Sequence, residues 1–100
     1  MTTLLQTDFP SAGPFGAHMS EAYADLTASI ATEPGLVWKI WTENATDQTA
    51  GGIYLFADEA SAHAYATMHT KRLEGFCITC IRARFFDVNE PLTATTRGLS

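Results

Sequence analysis

Basic residues are scarce in this sequence. Six Lys and Arg stand against eleven Asp and Glu in 100 residues, which gives a formal net charge of −5. A protein that binds nucleic acid needs a patch or stripe of cations to neutralise phosphates. The six basic residues are too few and too scattered to form one, so we expect no nucleic-acid partner.

Long apolar runs are also missing. No stretch approaches the roughly 20 apolar residues that cross a bilayer as a helix. The first eight residues, MTTLLQTD, lack the basic start and the apolar middle of a secretion signal. We therefore expect a cytoplasmic protein that makes no contact with a membrane.

Cysteine occurs only twice, as the Cys-x-x-Cys formed by Cys77 and Cys80. Such a pair is either a redox centre, half of a zinc site, or two residues of a strand. The surrounding FCITCI looks extended, which would place the two thiols on opposite faces roughly 10 Å apart. We interpret them as strand residues. A metal site is not expected, because His63 and His69 are six positions apart and do not share a helix face.

What the chain does contain is an ordinary globular composition, with 46% hydrophobic and 17% charged residues. One hundred residues suit one domain. We assign that domain to residues 1–88. Residues 89–100 are polar and carry no periodicity, and we predict that they form a tail that contacts a partner subunit.

The segment from residue 33 to residue 56 organises the rest. Pro34-Gly35 ends the preceding helix, because Pro lacks an amide donor and Gly accepts a positive φ. Residues 36–43 and 51–56 are β-branched and aromatic runs bounded by turn residues, which predicts a hairpin. Gly51 and Gly52 are expected to permit a bulge or a sharp bend at the start of its second strand.

The positions of the two tryptophans predict how this hairpin is covered. Trp38 and Trp41 are an odd number of positions apart, so they point to opposite faces of the sheet. A sheet that carries large apolar groups on both faces must be covered on both.

The remaining elements complete a β-α-β-β-α-β order. The predicted elements outside the hairpin are a strand over 3–9, a helix over 15–32, a helix from Asp58 to Leu73 and a strand over 78–88. This is the ferredoxin-like α+β arrangement with a four-stranded antiparallel sheet. Right-handed crossovers place both helices on one face and leave the other bare. We expect a homodimer in which two bare faces pack together around a barrel-like core.

Four segments that together span nearly the whole chain carry a resemblance to a known family: GPFG at 13–16, EPGLVWKIWTE at 33–43, AGGIYLF at 50–56 and FDVNEPL at 86–92. Through these segments the chain resembles the YdhR-type monooxygenases of the dimeric α+β barrel superfamily. The resemblance implies a homodimer and kinship with cofactor-free oxygenases of small aromatic or polyketide-like compounds. No metal or flavin is then expected.

Such a reaction needs a base, a group that holds the substrate anion and a dry aromatic pocket. His69 is the candidate base, because its reference pKa of about 6.5 is nearest to neutrality. Arg84, as a catalytic residue, or Lys39, as a substrate-binding one, is expected to hold the anion. The candidate pocket walls are aromatic residues of the helices and the sheet: Phe15, Tyr23, Trp38 or Trp41, Tyr54, Phe56 and Tyr65.

Each assignment has a structural alternative. His69 on an inward helix stripe is also typical of a hydrogen-bonded packing residue, and both tryptophans are core residues as well. Arg84 suits a solvated edge or an inter-subunit ion pair, and Lys39 can extend past Trp41 to water. At the level of function, the alternatives are a non-catalytic binding protein for a hydrophobic metabolite and an isomerase or lyase on the same scaffold.

Overall fold

The computed structural model describes residues 2–98. Its strands are β1 (Thr3–Pro10), β2 (Leu36–Asn44), β3 (Thr49–Phe56) and β4 (Arg82–Asp87). Its helices are α1 (Gly16–Ala22), α2 (Ala24–Ala31), α3 (Glu59–Gly75) and α4 (Glu90–Thr95). Within residues 2–98, no helix combines the length and the apolar composition needed to cross a membrane.

The four strands form one antiparallel sheet in the order β2-β3-β1-β4. With the helical connections β1–α1/α2–β2 and β3–α3–β4, this confirms the predicted ferredoxin-like α+β fold. The hairpin of β2 and β3 is confirmed. Its irregularity lies in β2, where the pairing shifts between Leu36 and Trp38. Gly51 and Gly52 instead pair regularly inside β3.

One face of the sheet carries the hydrophobic core. Inward residues of α3 pack against it, and the stripe predicted from helical spacing is confirmed by the buried Ala62, Tyr65, His69 and Leu73. On the strands, Leu5, Tyr54 and Phe56 are almost fully buried in the same layer. Asp58 begins α3 as predicted, because its carboxylate accepts the amide N–H of Ser61 at 2.7 Å.

The two tryptophans do lie on opposite faces. Trp41 stacks on Tyr23 from the helical layer, with ring centroids 6.2 Å apart. Trp38 lies on the other face, in a hollow that it shares with Leu4 and Phe86. On that open face the side chains of Ile40 and Phe86 are 55% and 40% exposed. The prediction of large apolar groups on both faces is therefore confirmed.

Two expectations for the C-terminal third were wrong. The last strand does not begin at Ile78, because Cys77 and Cys80 have φ values of 64° and 55° that an extended chain cannot adopt. Residues 76–81 form a loop, the two cysteines are free and exposed, and β4 begins only at Arg82. The premise that the thiols lie on a strand therefore fails.

The tail, in which the sequence shows no periodicity, contains α4. Asn89 accepts the amide N–H of Leu92 at 3.1 Å, and Pro91 follows in the first turn, where its missing donor costs nothing. Thr93 and Gly98 border the hollow around Trp38. The open face is therefore partly covered rather than bare.

The first helical segment is interrupted once. It was predicted to run unbroken from Phe15 to Thr32, but α1 ends and α2 begins at Tyr23, whose φ and ψ are −108° and 17°. Glu43 of β2 fixes the start of α1 by accepting the amide N–H of Gly16 at 3.0 Å. The two helices still turn apolar residues toward the core, because Met19 and Ile30 are both buried.

Candidate functional site

A small cavity lies between the sheet and the helical layer, beside the core. Its walls come from β1, β2, β3, α1, α2, α3 and the loop after α3: Thr7, Phe9, Met19, Tyr23, Leu26, Lys39, Trp41, Ala50, Gly51, Tyr54, His69, Leu73, Phe76 and Ile78. Apolar and aromatic groups dominate this lining. The titratable residues in it are Lys39, His69 and two tyrosines, so the chemistry of the cavity depends on them.

Lys39 is the charged residue of the lining. Its Nζ lies 3.3 Å from the centroid of the Trp41 ring and 4.5 Å from that of Tyr54. Burial first, and then the charge of Arg72, lower the pKa of Lys39 to about 7. The two aromatic faces attract the ammonium form, whereas burial and Arg72 favour the free amine. Both forms are therefore accessible near neutral pH.

Gly52 gives the Lys39 side chain its place against the sheet. A Cβ at position 52 would lie 2.7 Å from Cε of Lys39 and 3.1 Å from the Tyr54 ring. A side chain at this position would displace the end of the lysine stem from where it now crosses the strand. The glycine thus positions the amine over the two rings.

His69 lies deeper in the cavity and is only 5% exposed. Its Nδ1 faces the guanidinium of Arg72, with Nε at 3.2 Å and the terminal nitrogen at 2.9 Å. Because Arg72 can only donate, Nδ1 accepts, and the proton of the neutral ring sits on Nε2. Burial first, and then the charges of Arg72 and Lys39, lower the pKa of His69 to about 3. The ring is a weak base and a good neutral donor.

Tyr54 in the lining and Tyr65 in the adjacent core complete the polar part of the site. The Tyr65 hydroxyl donates to the Tyr54 hydroxyl at 3.2 Å, and the rings are 4.9 Å apart. Burial raises the pKa of Tyr65 to about 12 and raises that of Tyr54 further, since Tyr65 adds to the effect there. Both hydroxyls therefore stay protonated.

The cluster is cationic and has no acidic partner. Within residues 2–98, no carboxylate lies within 4.0 Å of Lys39 or Arg72, and the ion pairs in that range join Arg82 to Asp8 and His63 to Glu59. An unpaired cation in an apolar setting is unfavourable unless an anion joins it. An anion bound beside these cations would therefore be favoured, although the chain as a whole has a net charge of −5.

The cavity is nearly closed in this structure. Its volume is about 30 Å³, enough for one or two water molecules. A wider groove of about 560 Å³ lies outside, and Tyr23, Leu26, Phe76 and Ile78 line both spaces. Phe76, in the loop 76–81, is 58% exposed although it lines both spaces. We infer that this loop is the part of the wall that a ligand larger than water displaces.

The structure brings together half of the residues proposed from the sequence. His69, Lys39, Tyr23, Trp41 and Tyr54 line the cavity. Phe56 and Tyr65 lie in the core beside it.

The other proposed residues lie elsewhere. Trp38 is on the open face, and Phe15 precedes α1 outside the lining. Arg84 is also on the open face, where it pairs with Gln6 across the sheet and its Cζ lies 5.5 Å from the Phe86 ring. Of the two cations considered for an anion, only Lys39 is in the cavity.

Arg72 was not among the residues proposed from the sequence. It stands three positions after His69 on α3, a spacing that places two side chains on one helix face. That spacing was the available signal. It does not show that the guanidinium turns inward to the ring rather than outward to water.

The metal-ligating residue types do not converge. Within residues 2–98, no three His, Cys, Asp or Glu side chains are placed to hold one metal ion.

Comparison with known proteins places the chain in a family. No curated protein matches the sequence. The family model described as "Putative mono-oxygenase ydhR" matches residues 4–99, which is nearly the whole chain. The protein therefore belongs to the YdhR mono-oxygenase family.

Proposed function

We propose that the protein is a cofactor-independent monooxygenase that oxidises a small aromatic or polyketide-like compound with molecular oxygen. The observation that carries the proposal is the cavity with aromatic walls in which Lys39 has no acidic partner within 4.0 Å among residues 2–98. Arg72, which contacts His69 Nδ1 beside this cavity, likewise has no such partner in that range. Family membership supports the class of reaction. The unpaired cations favour a substrate that ionises to a delocalised anion.

Lys39 is the group that suits the first step. As a free amine it takes the proton of a phenol or an activated C–H, and as the resulting ammonium it holds the anion that remains. A pKa of about 7 suits both roles at neutral pH. In this proposal His69 is a donor through Nε2 rather than a base, and Tyr54 is a second donor.

The anion then reduces dioxygen directly. Its carbon adds O₂, and the peroxide takes one proton to give a hydroperoxide. Loss of water from the hydroperoxide leaves a carbonyl group. One oxygen atom enters the product and the other leaves as water. The substrate supplies all four electrons that reduce the two oxygen atoms. The aromatic walls exclude water from the anion until oxygen arrives.

Oxygen uptake with a matched pair of variants tests this function. Candidate hydroquinones are incubated with the protein in air and under nitrogen, and conversion should require air. Lys39→Met should lower turnover by about 100-fold or more, as expected for loss of a general base. Arg84→Met removes a cation from the opposite face and should change turnover by less than about 2-fold. Equal turnover without oxygen would reject the monooxygenase.

A binding protein makes a different prediction in the same experiment. It would bind the aromatic compound saturably and release it unchanged, in air as under nitrogen. The nearly closed cavity is the observation that favours this alternative.

We also propose that a second copy of the chain covers the open face. Ile40 and Phe86 are exposed there beside Trp38, although α4 covers part of the same surface. Sedimentation should show a dimer at micromolar concentration. Ile40→Glu should weaken it by at least about 10-fold, since a carboxylate would be buried without a partner.

The control for the dimer is Ala28→Glu, which places the same charge at an exposed position of α2. It should leave the sedimentation profile unchanged. A folded wild-type monomer at micromolar concentration would contradict the proposal.

A further inference from the structure

Lys39 is one of two lysines in the chain, and their surroundings differ completely. Lys71 is exposed on α3. Lys39 is half-buried between two aromatic rings, near the guanidinium of Arg72. A lysine that is desolvated and close to another cation is the environment in which an amine acts as a nucleophile at neutral pH.

We propose that Lys39 forms an imine with β-dicarbonyl compounds that enter the cavity. The inference shares its cavity with the proposed function and deepens it by naming a substrate class, but the bond formation itself needs no oxygen. Polyketide-like compounds carry the 1,3-dicarbonyl group that such an amine would attack.

The condensation balances without a further reagent. The free amine of Lys39 attacks one carbonyl carbon, a C–N bond forms, and the oxygen is protonated to a carbinolamine hydroxyl. That hydroxyl leaves as water, with both of its protons derived from the amine through the surrounding donors. The imine of a 1,3-dicarbonyl then tautomerises to a conjugated enaminone. No atom is oxidised or reduced.

The neighbours of Lys39 suit each step. The cavity is lined almost wholly by apolar groups, which favours the unprotonated amine and the loss of water. The centroid of the Tyr54 ring lies 4.5 Å from Nζ of Lys39, and burial keeps the Tyr54 hydroxyl protonated. His69 presents Nε2–H from the same lining. These two neutral donors can protonate the departing hydroxyl.

The second carbonyl of the substrate also has a favourable interaction in the site. In the conjugated enaminone the second oxygen carries partial negative charge, and the cation of Arg72, which has no carboxylate within 4.0 Å among residues 2–98, favours that charge. A simple ketone lacks this second interaction. The structure therefore favours dicarbonyls over monocarbonyl compounds of the same size.

The test uses 2,4-pentanedione, whose small size suits a cavity of about 30 Å³ that must widen to admit it. The intact protein is incubated with the dione at pH 7.5, and the near-ultraviolet absorbance of an enaminone is followed. Peptide mass mapping then locates the added mass of one dione less one water. We expect labelling at Lys39 to exceed that at Lys71 by at least about 10-fold, because an unperturbed lysine is almost fully protonated at this pH.

Two comparisons keep the result independent of folding. The wild-type protein contains both lysines, so the ratio of labelling at Lys39 to labelling at Lys71 is measured in one molecule. Unfolding the protein in urea before labelling should remove the preference for Lys39. Lys71→Met should retain the absorbance and Lys39→Met should lose it. Equal labelling of the two lysines in the folded protein, or labelling at Lys71 alone, would overturn the inference.

The outcome is separable from that of the oxygenase test. Labelling is performed under nitrogen, and oxygen uptake with hydroquinones is measured on the same preparation. Uptake without preferential labelling rejects the imine alone. Preferential labelling without uptake rejects the monooxygenase and retains the imine.

Discussion

The free energy of unfolding should fall by up to roughly 5 kcal/mol between pH 6.5 and pH 3 because of His69 alone. Burial and the charges of Arg72 and Lys39 hold the folded-state pKa of this ring at about 3, against 6.5 in the unfolded chain. Between these two values the unfolded chain binds a proton that the folded protein does not. The stability that the neutral His69 ring contributes is complete above pH 6.5. It is lost progressively as the pH falls from 6.5 through the folded-state pKa of about 3.

Comparison with His69→Gln isolates this contribution from that of the carboxylates. Glutamine offers an oxygen to Arg72 but cannot be protonated, so the variant should lose much less stability across the same pH range. Urea unfolding at several pH values measures both slopes. His63→Gln is the control, because His63 is exposed and stacks on Phe85 outside the cavity. Parallel pH profiles for the wild type and His69→Gln would show that the ring is not buried in its neutral form.

Gly51→Ala should lower the free energy of unfolding by about 3 kcal/mol or more. A Cβ at position 51 would lie 2.0 Å from the carbonyl oxygen of Thr7 and 2.8 Å from Cα of Asp8. Both contacts are with the backbone of β1, so no side-chain rotation relieves them. The two central strands would have to separate, and the ladder between β1 and β3 would weaken.

Gly75→Ala provides the matched control for Gly51→Ala. A Cβ at position 75 would meet nothing within 4 Å, and the residue is the last of α3. Alanine there should stabilise the protein by up to about 1 kcal/mol. Urea denaturation of the two variants gives the comparison directly. A Gly51→Ala protein as stable as the wild type would mean that β1 and β3 approach less closely than described.

The fold was predictable where the residue pattern repeats over several turns or strands. The stripe of α3 follows from spacing alone. The alternation that separates Trp38 from Trp41 also survived, because the irregularity of β2 lies before both residues, between Leu36 and Trp38. An extra residue between them would have placed both on one face.

The C-terminal elements were predictable only in part. Asn89 and Pro91 are ordinary signals for the start of a helix, so α4 could have been found from the sequence. The start of β4 at Arg82 could not be predicted, because it depends on pairing with β1. Asp8 faces Arg82 and binds its guanidinium at 2.9 Å, and Pro10 then lacks the amide donor that further pairing would need.

The site was less predictable than the fold because it depends on register. Lys39 reaches the cavity only because Gly52 leaves room for its stem and Trp41 lies beneath its ammonium group. These residues are close in space through the pairing of β2 with β3. Arg84 looked equally suitable in sequence, but its strand position directs it to the other face.

We propose that the two faces of the sheet have separate functions: one binds a ligand and the other binds a second copy of the chain. The two tryptophans report on them separately. With 5-fluorotryptophan incorporated, ¹⁹F NMR should give two resonances, assigned with Trp41→Phe. Addition of an aromatic hydroquinone under nitrogen should shift the Trp41 resonance, and dilution through the dimer dissociation range should shift that of Trp38. A ligand that shifts only Trp38, or a dilution that shifts only Trp41, would contradict the account.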